Sequence, residues 1–182
     1  MTPDGSFTIE ARSRICIYTL GRFELVLDGV PVRFKGRAPM RALELLGALI
    51  AAGGRGVSVA SLADALWPDA DGFDAYRAFT TTLHRLRRLL QCAEALRLSA
   101  GRLTLDPEFC RVDLWEFERA LRAAHEPRAI REALDLYHGP FLGDDPSPWA
   151  LATRARLERL VTAARPRFLP GSTGLQALFV PA

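Results

Sequence analysis

Residues 74–90, DAYRAFTTTLHRLRRLL, have the apolar period of a helix that is packed on one side. The apolar stripe consists of Ala75, Phe79, Thr82 or Leu83, Leu86 and Leu90, with Leu89 beside it, and Thr82 is expected as half-buried support. The rest of the segment carries four arginines against one acid, Asp74, which gives it a charge of +3, equal to the formal charge of the whole chain. We therefore expect a helix that is buried on one face and cationic on the other.

The cationic face has the residue types that contact nucleic acids. Its members are Arg77, Thr80, Thr81, His84, Arg85, Arg87 and Arg88. Such a face suits phosphates and the base edges of a major groove, although an arginine-rich face is also common as plain solvated surface. Two details favour nucleic acid. No acid after Asp74 offers i,i+4 ion pairs, and short threonines one turn before Arg85 allow a close approach.

The segments before this helix predict a sheet and two more helices. Residues 15–34 alternate with period two around Asp28-Gly29, which predicts an antiparallel sheet with a hairpin turn. Pro39 opens a helix whose wide apolar arc predicts burial against more than one neighbour, and Gly53-Gly54 ends it. Residues 56–58 predict a single rung of sheet, in which Ser58 caps a helix over residues 59–67.

The segments after the basic helix predict a hairpin and then more helices. Residues 96–99 and 102–105 alternate around Ala100-Gly101, with Arg102 near the tip. The complete order is that of a winged helix-turn-helix. Three further apolar stripes predict helices that stack on their neighbours. They are Leu114, Phe117, Ala120 and Leu121; then Ile130, Ala133, Leu134 and Tyr137; and a rougher set of Leu151, Ala155, Leu157 or Glu158, and Val161.

Several motifs resemble a known family. LGRFELVLDGVPVRF, RALELLGALIAAGGRGVSVASLADALWPDA, FTTTLHRLRRLL and LRLSAGRLTLDP resemble the OmpR-like winged-helix domain that heads SARP-type bacterial transcriptional activators. VDLWEFERAL, REALDLYHGPFLGD and LATRARLERL resemble the start of the bacterial transcriptional activator domain (BTAD). The resemblance implies an α+β winged helix-turn-helix with an N-terminal antiparallel sheet, three helices and a C-terminal wing hairpin. A short all-α, tetratricopeptide-like segment follows it.

The resemblance also implies a division of the chain. We expect a flexible arm over 1–14, the winged-helix domain over 15–107, a partial activator domain over 112–165 and an irregular tail over 166–182. Pro166, Pro170 and Gly171 interrupt the helical pattern where the family continues, so the chain looks C-terminally shortened.

For function, the resemblance implies a bacterial transcriptional regulator that binds double-stranded DNA in a sequence-specific manner. Activation is the expected direction of regulation. The helix 74–90 would enter the major groove, and the wing 96–105 would lie on the minor groove or the backbone. The residues expected to contact bases are Thr81, Arg85 and His84. Those expected to contact phosphates are Arg77, Thr80, Arg87 and Arg88. Arg102 is the residue of the wing that is expected to contact DNA. Arg85→Ala should then relax specificity, and Arg87→Ala should weaken binding to all sequences.

The implied partners are DNA direct repeats, a second copy of the chain on that DNA, and RNA polymerase by family analogy. Charge supports two units with different partners, because residues 1–103 hold 14 basic and 10 acidic residues whereas 104–146 hold 5 and 10. The alternatives are a helical protein-interaction adaptor and a nonfunctional truncated remnant of a larger regulator.

Enzyme chemistry is not expected. His84, His125 and His138 are dispersed, and no GxSxG, HExxH, P-loop or GxGxxG pattern accompanies them. The adjacent acids at 144 and 145 are expected in a turn or helix cap. We expect no cofactor and no metal.

The cysteines and the apolar runs bear on the compartment. Cys16, Cys92 and Cys110 lack CxxC spacing and are odd in number, which favours buried thiols in a reducing cytosol. No apolar run is long enough to span a bilayer. We therefore expect a cytoplasmic protein that does not associate with membranes.

Overall fold

Two small sheets alternate with helices in the computed structural model, which describes residues 14–34, 36 and 38–168. Residues 1–13 of the expected arm, and residues 169–182 of the expected tail with Pro170 and Gly171, lie outside the described residues. In chain order the elements are β1 (Ile15–Tyr18), β2 (Glu24–Leu27), β3 (Val30–Pro31), α1 (Met40–Ala51), β4 (Val57–Ser58), α2 (Val59–Leu66), α3 (Gly72–Leu90), β5 (Leu96–Ser99), β6 (Arg102–Leu105), β7 (Cys110–Val112), α4 (Asp113–Ala123), α5 (Pro127–Asp135) and α6 (Pro148–Phe168).

The first sheet has the strand order β3-β2-β1-β7. Asp28 and Gly29, both at positive φ, join β2 to β3, so the predicted hairpin turn is confirmed. Strand β7 was not predicted from the sequence. It pairs in parallel with β1, with Ile15 opposite Cys110 and Ile17 opposite Val112. This pairing brings the start of α4 onto the first sheet.

The second sheet has the strand order β4-β6-β5. The hairpin of β5 and β6 has the predicted boundaries, and the predicted single rung is β4, which pairs with β6. Ser58 caps α2 as predicted, since its hydroxyl accepts from the Ser61 amide at 3.4 Å. Helix α3 begins two residues earlier than predicted, because the Asp71 carboxylate accepts from the Asp74 amide at 2.8 Å and so caps the helix at that point.

Helix α1 is packed against more than one neighbour, as its wide apolar arc predicted. It contacts α2 and α3 and, in addition, α6. The contact with the C-terminal part of the chain is close. A Cβ atom placed on Gly47 would lie 2.9 Å from Cδ1 of Leu142 and 3.0 Å from Cη2 of Trp149. The hydrophobic core therefore runs without a break from the first sheet to α6.

Two predictions for the C-terminal helices were wrong. Helix α5 ends at Asp135, so Tyr137 lies beyond it. In α6 the predicted Leu151 and Ala155 are exposed, and the buried face is instead Ala150, Thr153, Leu157, Val161 and Ala164. The error in α6 arose because small and polar side chains occupy part of the buried face, so hydrophobicity alone does not mark it.

The helical pattern was expected to break at Pro166, but α6 continues through that residue to Phe168. A proline within a helix lacks one amide donor and its ring crowds the carbonyl four residues earlier, so Pro166 weakens α6 locally. The helix is nevertheless continuous over this position.

The Asp113 carboxylate ties the start of α4 to the end of β1. Both of its oxygens accept from the Thr19 amide at 2.8 Å, and one also accepts from the Thr19 hydroxyl at 2.7 Å. It accepts further from the amides of Leu20, at 3.0 Å, and Leu114, at 2.7 Å. A carboxylate in the first turn of a helix also interacts favourably with the helix dipole. The first sheet and the helical part of the chain thus share a charge-assisted junction.

The burial of the cysteines and the turn at the acidic pair, residues 144 and 145, agree largely with the predictions. Cys92 and Cys110 are buried, Cys16 is half-buried, and none of the three forms a disulfide. Burial raises the pKa of the Cys110 thiol to about 12, so it stays protonated at neutral pH. The Asp145 carboxylate accepts from the Ser147 amide at 2.8 Å, which confirms a turn just before α6.

We predict that Asp113→Asn lowers the free energy of unfolding by about 2–3 kcal/mol, because an amide presents its own N–H groups to donors that now face a carboxylate. Chemical denaturation monitored by circular dichroism measures this change. Asp69→Asn, at an exposed acid without a hydrogen-bond partner in the described chain, is the control and should change stability little. Equal stability of the two variants would contradict a structural role for Asp113.

We also predict that Gly54→Ala destabilises the fold more than Gly53→Ala, by about 1–3 kcal/mol. Both glycines have positive φ, so both variants carry similar backbone strain. A Cβ atom on Gly54 would lie 2.1 Å from Cζ2 of Trp115, whereas one on Gly53 would meet nothing within 4 Å. The Trp115 indole cannot easily move, since it is packed against α1 and donates to the Ile50 carbonyl. The difference in thermal unfolding between the two variants measures this contact.

Candidate nucleic-acid interface

The predicted apolar stripe of α3 is its buried face. Phe79 and Leu86 are fully buried, Leu90 is almost so, and Thr82 is buried beside them. Burial of each large apolar side chain is worth roughly 1.5–3 kcal/mol. Rotation of α3 about its axis would remove several of them from the core at once. The opposite face is therefore held outward.

The outward face of α3 is cationic and unpaired over its central and C-terminal turns. Its exposed members include Thr81, His84, Arg85 and Arg88. Spacings of three and four residues place them on one side of the helix. In the part of the chain that the structure describes, neither Arg85 nor Arg88 has an ion pair or a hydrogen-bonded side chain. This surface is available to an external anion.

Two of the predicted phosphate contacts near the start of α3 are engaged within the helix. Arg77 forms a 3.4 Å ion pair with Asp74, and both side chains are well exposed. Such a surface pair is weak and can exchange for a phosphate. The Thr80 hydroxyl donates to the Tyr76 carbonyl at 2.9 Å, so its proton is used within the helix.

Arg87 has a contact within the protein that the sequence did not indicate. It is half-buried, and its Nη2 donates to the Leu96 carbonyl at 3.0 Å, at the base of the β5–β6 hairpin. Its Nε is buried without a hydrogen-bond partner among the described residues. Arg87 therefore joins α3 to the hairpin. Arg87→Ala would also remove this bond, so it is not a clean test of a phosphate contact.

The β5–β6 hairpin turns at Ala100 and Gly101, both at positive φ, as predicted. Arg102 lies near the tip, as predicted, because it directly follows this two-residue turn and pairs with Ser99. It is the first residue of β6, and its Nη1 donates to the Gly56 carbonyl at 2.8 Å, because β4 runs alongside β6 and brings that carbonyl within reach. The guanidinium is exposed and is held at the side of the hairpin.

Three exposed side chains near this surface were not singled out from the sequence. Phe73 and Tyr76 project from the first turns of α3 with 73% and 55% of their surface exposed. Arg97 of β5 is exposed and pairs with the buried Asp106 at 3.3 Å. The sequence did contain a signal for them. Phe73 and Tyr76 lie outside the apolar stripe of α3, and Arg97 lies on the predicted strand β5, so their exposure could have been expected.

The described residues show neither a group of histidine, cysteine and acidic side chains arranged to hold a metal ion nor a helix with the length and hydrophobicity to cross a membrane.

Comparison with known proteins gives one family and two relatives. Residues 112–170 match the family model of the bacterial transcriptional activator domain. Regulatory protein AfsR of Streptomyces coelicolor is 31% identical over 123 residues, which cover 62% of this chain and 12% of AfsR.

Among solved structures, Mycobacterium tuberculosis EmbR in complex with a low affinity phosphopeptide matches with a TM-score of 0.66 at 23% identity. The match covers 84% of this chain and 44% of EmbR, so the two share the fold over most of this chain. The chain thus spans a minority of the length of either relative. The chain therefore has a segment, residues 112–170, that matches the bacterial transcriptional activator domain, and it shares its fold with EmbR over most of its length.

Proposed function

We propose that this chain binds double-stranded DNA in a sequence-specific manner as a bacterial transcriptional regulator. The observation that carries the proposal is the outward face of α3, where Arg85 and Arg88 have no partner in the described chain while the opposite face is buried in the core. A fold that holds unpaired guanidinium groups outward on a rigid helix is suited to phosphates and base edges.

In this proposal α2, the turn after it and α3 form a helix-turn-helix, and the β5–β6 hairpin is the wing. Helix α3 has 19 residues. At a rise of 1.5 Å per residue it is roughly 28 Å long, which is ample for a major groove. The bond from Arg87 to Leu96 supports a fixed angle between α3 and the wing. The wing would then meet the minor groove or the backbone beside the major groove that α3 occupies.

The exposed residues divide by chemistry. Thr81 and Arg85, with His84 beside them, are exposed at the centre of α3 without a side-chain bond to the described residues, and they are the proposed base contacts. Arg88, and Arg77 after release from Asp74, are the proposed phosphate contacts. Thr80, Arg87 and Arg102 are engaged within the protein, so we give them supporting parts at the DNA surface.

The partners that the family resemblance implies remain part of the proposal. They are DNA direct repeats, a second copy of the chain bound beside the first, and RNA polymerase, which a regulator that activates would recruit. We place the protein in the bacterial cytoplasm, where its DNA is. EmbR was solved with a phosphopeptide, and we therefore propose a protein ligand as a further class of partner to test.

Footprinting on DNA upstream of the gene and its neighbours, with gel-shift titration at several salt concentrations, tests the proposal. We expect protection of repeats separated by about one helical turn and a steep loss of affinity with salt. Absence of binding to any duplex at low salt would contradict the proposal and favour an adaptor that binds proteins.

We predict that Arg85→Ala weakens binding to the protected site by about 1–3 kcal/mol and removes discrimination at one base pair, because a bidentate contact to a base edge is lost. Competition gel shifts with sites substituted one base pair at a time measure this. Arg159→Ala is the matched control, since Arg159 is an exposed arginine of α6 without a partner in the described chain. Equal losses of specific and nonspecific affinity would assign Arg85 to the backbone instead.

We predict that Arg88→Ala weakens binding to all sequences by a similar factor and reduces the slope of log affinity against log salt by about 1, as expected for one lost phosphate contact. Arg88 is a better choice than Arg87, because Arg88 is exposed and its side chain has no bond to any residue that the structure describes. Gel shifts with specific and random duplexes over a range of salt give the slope. An unchanged slope would show that Arg88 does not contact a phosphate.

A further inference from the structure

A large groove lies between the first sheet and α4. It has a volume of about 1040 Å³ and is open to solvent. None of its lining residues belongs to α2, α3 or the β5–β6 hairpin, so it is distinct from the proposed DNA surface. Five arginines from four separate segments converge on it, and we call it the arginine groove. They are Arg14, Arg55, Arg111, Arg119 and Arg122.

The acidic side chains that line the arginine groove are already engaged. Each is bonded to an arginine, in the pairs Arg14 with Asp28, Arg111 with Glu116, and Arg156 with Glu118. In the first pair two nitrogens of Arg14 donate to the two oxygens of Asp28, at 3.1 and 3.2 Å. The hydrogen bond lowers the pKa of Asp28 and raises the pKa of Arg14, so both stay ionised near neutral pH. Little negative charge is left to neutralise the other arginines.

Of these other arginines, Arg122 lies 3.9 Å from Glu118, and Arg55 and Arg119 are the remaining two. Both are exposed, and within residues 14–34, 36 and 38–168 neither has an ion pair or a side-chain hydrogen bond. Arg55 comes from the loop after α1, and Arg119 comes from α4, on another wall of the groove. A guanidinium offers five donors in a planar fork that matches a carboxylate. The groove thus presents two guanidinium groups, on different walls, that are available to carboxylates.

We propose that the arginine groove binds an acidic peptide segment of a partner protein, with Arg55 and Arg119 pairing with its carboxylates. The Trp115 side chain also lines the groove and supplies apolar surface between the charged groups. A groove of this size, open to solvent, fits an extended segment better than a small anion, since small-molecule sites enclose most of their ligand.

A DNA backbone fits the arginine groove less well than a peptide does. Asp28, Glu116 and Glu118 line the groove among the arginines. Evenly spaced phosphates would bring like charge against these carboxylates, and like charges in contact oppose binding. A peptide, by contrast, can place single carboxylates at Arg55 and Arg119 and neutral residues elsewhere.

Fluorescence anisotropy of the full chain with a labelled ten-residue Glu-Ser repeat peptide tests the proposal, and a Gln-Ser repeat of equal length is the neutral control. We expect salt-sensitive binding of the acidic peptide alone. Arg55→Gln and Arg119→Gln should each weaken it about threefold, and the double variant about tenfold, as befits exposed ion pairs. Both side chains are exposed, so thermal unfolding should be unchanged.

Arg159→Gln is the matched control, since it removes an exposed arginine of α6 outside the groove, and it should bind the acidic peptide as the unsubstituted chain does. Unweakened binding by the double variant would overturn the proposal. A second result would also overturn it. If the chain does not bind the acidic peptide and the double variant loses affinity for duplex DNA, the groove belongs to the DNA surface. Duplex affinity of the double variant equal to that of Arg159→Gln, with weakened peptide binding, supports it.

Discussion

Burial of α1 against several neighbours is the constraint on which the rest of the fold depends. Leu45, Leu46 and Leu49 of α1 are fully buried, and the helix contacts α2, α3 and α6. At roughly 1.5–3 kcal/mol for each buried leucine, loss of any of these contacts would remove a large part of the stability of a small protein. The segment that matches the activator domain is therefore also part of the cover over α1. Gly47 shows this directly, because its missing side chain leaves the room that Leu142 and Trp149 fill.

The polar junction at Asp113 complements this apolar packing. Packing alone tolerates small sliding motions, whereas a carboxylate that accepts from Thr19, Leu20 and Leu114 requires a defined position of α4 relative to β1. Strand β7 leads directly into Asp113, so the parallel pairing with β1 and the carboxylate act on the same point of the chain. The walls of the arginine groove that β1 and α4 contribute are consequently held in a fixed relation.

How far the sequence predicts this structure depends on the range of the interactions. Both faces of α3 and both hairpins could be predicted, because period and turn chemistry are local signals. Strand β7 could not, since three residues give no period and its partner lies about ninety residues away. The buried face of α6 was misplaced because Ala150 and Thr153 occupy it. Arg87 illustrates the same limit at the candidate site, since its bond is to a carbonyl of another element. The contacts of Thr81 and Arg85 with DNA stay predictions.

The distribution of charge has a different meaning in the fold than in the sequence. Residues 104–146 are strongly acidic, which favoured a separate unit with its own partners. Six of those ten acids bond within the chain, namely Asp106, Asp113, Glu116, Glu118, Glu132 and Asp145. Much of the acidic block therefore stabilises the fold, and it offers less negative surface than its composition indicates. Among the described residues, by contrast, Arg85 and Arg88 on α3 and Arg55 and Arg119 in the arginine groove have no ion pair and no side-chain hydrogen bond. Because unpaired cations attract anions more strongly than paired ones do, these two surfaces are where a net positive chain of this kind would meet its ligands.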